Sequence, residues 1–473
     1  MICRRQNEGN VMDTSILRQI PKMDALLELD AVKNAARELP RPLVKQAVQT
    51  VLDELRARLR AGEALPAPEE LETRLVRAIA SAGAWRLRRV VNATGVVLHT
   101  NLGRAPLAPP AAERVGQTAA GYTSLEYDLE TARRGSRHAL IERQLCRLTG
   151  AEAAMVVNNN AAAVFLMLYT LARGKKVAVS RGELVEIGGS FRVPEIMSAS
   201  GAELLEIGTT NKTHRHDYVS ALQRGDIGAI LKVHTSNFKI VGFSEDVPLC
   251  ELSDLSKEAG VPLLYDLGAG FLVRPEQLGL HEGVYIPDAV RYADVCCFSG
   301  DKLLGSAQAG ILLGRAPLIA QMKACQLSRM LRVDKMTLAA LEATLRLYAQ
   351  PETAVQKIPV LRMLSAPQAE LKDRALALCE KLGRLSSPLT FAACECLDEP
   401  GGGALPGLSL PGWAVEVCLP GCAPQELEKR LRAMPVPIIG RIAKGRLLLC
   451  VRTLLPEDEA ALLDAFAAFE AAP

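Results

Sequence analysis

From Ala154 to Leu313 short apolar runs alternate with helical patterns, and the connections between them are short. The runs are AMVV, KVAVS, ELLEI, AILKV, PLLYD, DVCCFS and Ile311–Leu313, with helices expected after Asn159, through Val185 and from Leu252 to Ala259. Alternation of this kind builds an α/β fold, a mostly parallel sheet covered by helices, whose ligands sit at the carboxyl ends of the strands. Polar residues gather at those ends: Ser180-Arg181, Thr209-Thr210-Asn211, His234 to Asn237, Asp266, and Ser299 to Lys302.

The stretch Ala293 to Gly310, ADVCCFSGDKLLGSAQAG, carries the chemistry. An apolar strand ends in a turn holding Ser299, Asp301 and Lys302, and a second strand upstream ends in Asp266. A lysine in a turn is ordinarily a solvated surface group. Paired with a strand-end carboxylate and a nearby serine, it matches what pyridoxal phosphate requires: an amine for a Schiff base, an acid to keep the pyridine nitrogen protonated, and donors for the phosphate.

A phosphate seat is expected where AMVV passes into a helix at Asn159, Asn160 and Ala161, because the first turn of a helix leaves N–H groups free at its positive end. Ser299 is a further candidate donor, and the competing reading is an ordinary asparagine N-cap. Ser236 and Asn237 are candidates for the cofactor's phenolate oxygen. His234 is either an acid–base group or a hydrogen-bonded structural histidine. No ring-stacking residue is evident after KVAVS, where Arg181-Gly182-Glu183 follows. Arg133, Arg134 and Arg137 suit either an anion or the solvent-facing start of a helix.

The 473 residues are 49% hydrophobic, enough for two or three domains. No apolar run reaches bilayer length and the N-terminus lacks a signal-peptide core, so a soluble, cytoplasmic protein with no membrane partner is expected. Twelve cysteines without paired spacing read as reduced thiols, and no metal site is expected. The net charge of +3 neither requires nor excludes a nucleic-acid partner. Residues 1–80 read as a helical domain, with helices from Ile16 to Leu29, Pro42 to Arg60 and Glu69 to Ile79. Met12 or Met23 is an alternative start. A large domain is expected over 81–330, a linking helix over 331–365 and a small α/β domain over 366–473.

Two further stretches complete the pattern. Val90 to Leu107, VVNATGVVLHTNLGRAPL, resembles a site-lining segment, and Arg329 and Arg332 share a face if their segment is helical. FSGDKLLG…QAGI, the run containing Arg104, and LSRMLRVDKMTLAALEATLRLY resemble the bacterial selenocysteine synthases, the L-seryl-tRNA(Sec) selenium transferase family. The resemblance spans about Pro21 to Leu463, with Ser306-Ala307 where the usual segment has Gly-Pro.

That resemblance implies a fold-type I pyridoxal-phosphate transferase with a tRNA-binding helical N-terminal domain. It implies conversion of seryl-tRNA(Sec) to selenocysteinyl-tRNA(Sec) through an aminoacrylyl-tRNA, with selenophosphate as donor. Lys302 would be the Schiff-base lysine and base, and Asp301 would help release selenium. Arg104, Arg329 and Arg332 would hold the donor, with Arg452 at a strand end as a further anion ligand or a structural residue. The resemblance also implies a homo-oligomer, dimers assembled into a decamer ring, and gives no DNA role. The alternative is a pyridoxal-phosphate lyase for a small amino acid or amino-sugar acid; relatives of that kind commonly lack the helical domain.

Overall fold

The computed structural model describes residues 20–187, 191–467 and 469. The chain forms two compact units that divide after Arg89. The first is helical: Met23–Leu27, Asp30–Ala35, Arg41–Arg60 and Pro68–Gly83. Val44, Val48, Val51 and Leu55 recur at three- and four-residue spacing on the long helix and pack against Leu71, Leu75 and Ile79. Pro42 and Pro68 sit in first turns, where the missing N–H has no intrahelical partner to lose. Of the predicted helix Ile16–Leu29 the described part is helical only over Met23–Leu27, and a second short helix, Asp30–Ala35, follows beyond it; residues 16–19 and Met12 lie outside the described residues. The unit also continues past the expected boundary at 80, to Arg89.

The second unit is built on a seven-stranded sheet: β1 Ala153–Val157, β2 Lys176–Ser180, β3 Glu203–Ile207, β4 Ile227–Val233, β5 Leu263–Gly268, β6 Val295–Ser299 and β7 Gly310–Gly314. Their order is β1-β7-β6-β5-β4-β2-β3. Only β7 runs antiparallel to its neighbours. Strands β1, β4, β5, β6 and β7 are buried along their whole length, so they read as unbroken apolar runs and not as alternating ones. The expected helix through Val185 is instead a 3-10 turn, Arg181–Glu183, followed by two-residue strands Glu186–Ile187 and Phe191–Arg192.

A six-stranded sheet forms the second layer, and it corrects the domain boundary. Val91–Ala93 pairs with Ile438–Ala443, and Val96–Leu98 pairs with the end of Thr390–Gly401, so this early segment belongs with the C-terminal strands. Sequence order concealed this because the pairing spans more than three hundred residues. The expected linking helix is three helices, Lys335–Leu347, Pro351–Lys357 and Pro359–Ser365, broken where each proline removes a donor. The segment Tyr122–His138 does not begin a helix: Tyr127–Asp128 and Arg133–Arg134 form a small hairpin, and the helix starts at Ala139. All eleven described cysteines are free, and among the described residues no helix is long and apolar enough to cross a membrane.

Candidate active site

Strands β5 and β6 end side by side and deliver Asp266 and the Ser299–Lys302 turn to one place. Asp266 is 2% exposed, and its Oδ1 accepts from the Asn160 side-chain amide at 2.8 Å and from the Gly268 N–H at 2.9 Å. Burial pushes its carboxyl above the ordinary range, against those two donors and Lys302. Lys302 is 6% exposed. Burial, then the Arg104 guanidinium, holds its ammonium below the usual lysine range, against Asp266 and Asp301. Desolvation thus drives acid and amine toward their neutral forms, the condition in which a lysine is a nucleophile and a base.

Glycines let other groups close on that amine. Gly268 adopts φ +62°, and a Cβ there would lie 3.1 Å from Ser236 Oγ and 3.9 Å from Lys302 Nζ. Ser236 Oγ is buried without a partner, as is Asn160 Oδ1. From the small domain, Gly403 at φ +77° comes so near that a Cβ would meet Nζ at 2.7 Å. Gly403→Ala should therefore displace the lysine and lower turnover by on the order of 10²-fold, with some loss of melting temperature because alanine is strained at a left-handed backbone; a variant with parental kcat would show that Gly403 does not set the position of Lys302.

The helix Asn160–Leu171 starts beside β1 with Asn159 as N-cap, its side chain accepting from Ala162 N–H at 2.9 Å. The N–H groups of Asn160 and Ala161 precede the first intrahelical acceptor and point outward at the positive end. Asn160's side chain is turned to Asp266, so any phosphate contact from it is through the backbone. Ser299 donates to Asp301 Oδ1 at 2.5 Å, and Arg104 Nη1 donates to Asp301 Oδ2 at 3.0 Å. Arg104 holds a left-handed backbone, φ 61°, a strain of the sort that collects at functional sites. Asn237 lies close by, but its amide donates to the Glu186 carbonyl at 2.7 Å. Burial, then the charges of Lys232 and Lys302, holds the His234 imidazole below the usual histidine range.

The other arginines separate. Arg329 lies in the short helix Leu327–Met330, but Arg332 is beyond its end, bridged to Val157, so they do not share a helical face. Arg332 Nη1 reaches Glu126 Oε1 at 3.4 Å, whereas the exposed Arg329 makes no side-chain hydrogen bond or ion pair among the described residues. Arg452 is a correction to the anion set. It is 3% exposed, its Nε donates to Asp398 at 2.9 Å, and its other nitrogens donate to the carbonyls of Met363 at 2.7 Å and Pro411 at 2.5 Å. Buried and engaged through all three nitrogens, it serves the small sheet and not a substrate anion.

Residues 90–455 match the family described as L-seryl-tRNA selenium transferase, and residues 17–56 match the selenocysteine synthase N-terminal family. The L-seryl-tRNA(Sec) selenium transferase of Geobacter sulfurreducens is 49% identical across 95% of this chain and 98% of its own length. The chain belongs to the L-seryl-tRNA selenium transferase family. Members from Carboxydothermus hydrogenoformans and Moorella thermoacetica are each 46% identical over 94% of this chain and 95% of theirs. The solved structure of a D-glucosaminate-6-phosphate ammonia-lyase covers 80% of this transferase-family chain and 95% of its own at a TM-score of 0.55 and 19% identity, a likeness of fold. The fold is that of the fold-type I pyridoxal-phosphate enzymes, with a helical unit in front. Sequence reasoning passed over Gly403, although the run GGGALPG stood out; three adjacent glycines next to a strand are a signal of close backbone approach.

Proposed function

We propose that this chain converts L-seryl-tRNA(Sec) to L-selenocysteinyl-tRNA(Sec), with selenophosphate as the selenium donor. The observation that carries the reading is the 49% identity over 95% of the chain to a transferase of that name. The buried Lys302 facing Asp266 supports it. The family match also sets aside the small-substrate lyase, whose likeness to this chain is one of fold.

The cofactor is pyridoxal 5'-phosphate, which when bound supplies an aldehyde carbon for an amine and a ring that accepts the electron pair left at the seryl Cα. Lys302 would hold it covalently and Asp266 would face the ring nitrogen. The backbone N–H groups after Asn159 would take the phosphate, and Ser236 Oγ, buried and unpartnered, would donate to the cofactor's phenolate oxygen. Lys302 Nζ, its charge disfavoured by burial, takes the α-proton of the seryl group and can return it. Arg104 and Arg329, with Arg332, are the cations offered to the donor's phosphate. Asp301, fixed between Ser299 and Arg104, is placed to assist release of selenium from phosphorus. The helical unit grips the tRNA, the chain acts in the cytoplasm, and the working form is a homo-oligomer, dimers arranged as a decamer.

Binding of serylated selenocysteine tRNA against serylated serine tRNA, across a salt series, tests this reading. The full chain should prefer the former, and removal of residues up to about Ala80 should abolish that preference while leaving the cofactor spectrum intact. Equal or absent binding by a protein with a normal cofactor spectrum would return the small-substrate lyase.

A further inference from the structure

Asn160 joins two parts of the site. Its backbone N–H opens the helix after β1, among the donors left free for a phosphate, while its side chain reaches the end of β5 and donates to Asp266 Oδ1 at 2.8 Å. The same oxygen accepts from the Gly268 N–H at 2.9 Å and from the Cys297 thiol at 3.7 Å. All three donors converge on Oδ1, and among the described residues Oδ2 receives none. The amide oxygen of Asn160 is itself buried with no partner, which costs stability, so packing alone does not account for the residue.

Two effects on Asp266 follow from these contacts. A carboxylate gripped through one oxygen resists turning, and its other oxygen keeps a fixed direction toward an incoming donor. Donors also favour the charged form of an acid that burial pushes toward neutrality. Among the influences that oppose burial at Asp266, the Asn160 amide is the largest, ahead of the Gly268 N–H, Lys302 and the Cys297 thiol. The Gly268 N–H belongs to the backbone and a thiol is a weak donor, so the amide is the side chain on which the ionised form depends most.

We propose that Asn160 is a positioning residue for Asp266: it holds the carboxylate ionised with Oδ2 presented, and so keeps the cofactor's ring nitrogen protonated. The inference rests on the placement of that nitrogen at Asp266 in the reading above. One residue thus serves both ends of the cofactor, its phosphate through the backbone and its ring through the side chain.

The parent, Asn160→Ala and Asp266→Asn proteins are loaded with pyridoxal phosphate isotopically labelled at the ring nitrogen, whose NMR resonance separates the protonated from the neutral pyridine. Asn160→Ala should lose the ring proton about one to two pH units below the parent, the shift that corresponds to one hydrogen bond to a charged group. Its kcat should fall roughly 10- to 100-fold, with the KM for seryl-tRNA(Sec) and the binding of inorganic phosphate by the apo-protein near parental, because the backbone N–H groups remain. Asn160→Ser, whose hydroxyl is a donor of shorter reach, should fall between the two. In the apo-protein the Asp266 carboxyl band, identified in the infrared by its absence from Asp266→Asn, should titrate at higher pH in Asn160→Ala than in the parent. This measurement decides the matter if the alanine variant retains no cofactor. An unmoved carboxyl titration, or an unmoved ring resonance in Asn160→Ala, overturns the proposal. A ring resonance that moves in Asp266→Asn alone defeats this inference and spares the placement of the ring, whereas one that moves in neither variant defeats both.

Discussion

Lys302→Ala should yield a folded protein that holds no pyridoxal phosphate after dialysis, turns over at least on the order of 10⁴-fold more slowly, and still binds seryl-tRNA(Sec). The fold survives because the side chain's charge is disfavoured where it sits, so its removal leaves no stranded counter-charge: Asp266 keeps its bonds from Asn160 and Gly268, and Asp301 keeps Arg104 and Ser299. Chemistry is lost because no other described amine is placed at the ends of β5 and β6. The helical unit, which forms a core of its own, is untouched. The same burial sets the pH response. With its ammonium held below the usual lysine range, Lys302 becomes neutral at lower pH than an exposed lysine, and cofactor uptake by the apo-protein should rise with pH across a window below the ordinary value of 10.5. Absorbance of bound cofactor and filter binding of labelled tRNA check the two halves. Loss of tRNA binding with turnover preserved would sink the assignment.

Much of this site was legible because its residues follow strands that are buried on both faces. An unbroken apolar run that stops at a charged residue marks both the strand and the region near its carboxyl end where a ligand can be held, as PLLYD and DVCCFSGDK do. The positions of Asp266 and Lys302 follow from that rule. What the sequence hides is pairing between distant segments. Val91–Leu98 is short and glycine-punctuated, and nothing local in it announces partners near residues 399 and 438. Gly403 reaches Lys302 only because that pairing brings the small sheet's edge over the large sheet's strand ends. Arg329 and Arg332 show a different limit: spacing of three predicts a shared face only while the helix lasts, and this one stops at Met330. Hydrogen-bond saturation is likewise invisible from composition, so Asn237 and Arg452 looked available and are engaged elsewhere.

Arg452→Met tests that last distinction by its effect on stability. Asp398 has no exposed side-chain area, and Arg452 has 2%. Two glycines make the room: a Cβ at Gly95 would lie 2.2 Å from one Asp398 oxygen, and a Cβ at Gly412 would lie 2.0 Å from the other. Burial alone pushes the Asp398 carboxyl above its ordinary range, with Arg452 as the main opposing influence. Removing the guanidinium therefore leaves a buried carboxyl with only the more distant Arg441, at 3.9 Å, as a cation, and two backbone carbonyls, of Met363 and Pro411, without their donor. Breaking a buried pair from one side destabilises by about 3–5 kcal/mol. Thermal and urea unfolding of the Arg452→Met protein should show a loss of that size, and the KM for selenophosphate in the surviving folded fraction should stay near the parental value. The double variant Arg452→Met with Asp398→Asn should recover part of the loss, because a neutral amide in that place carries no charge to strand and both bare carbonyls remain its remaining deficit. A protein of parental stability with a raised KM for selenophosphate would reverse the argument, since only an arginine released from Asp398 could be holding the donor.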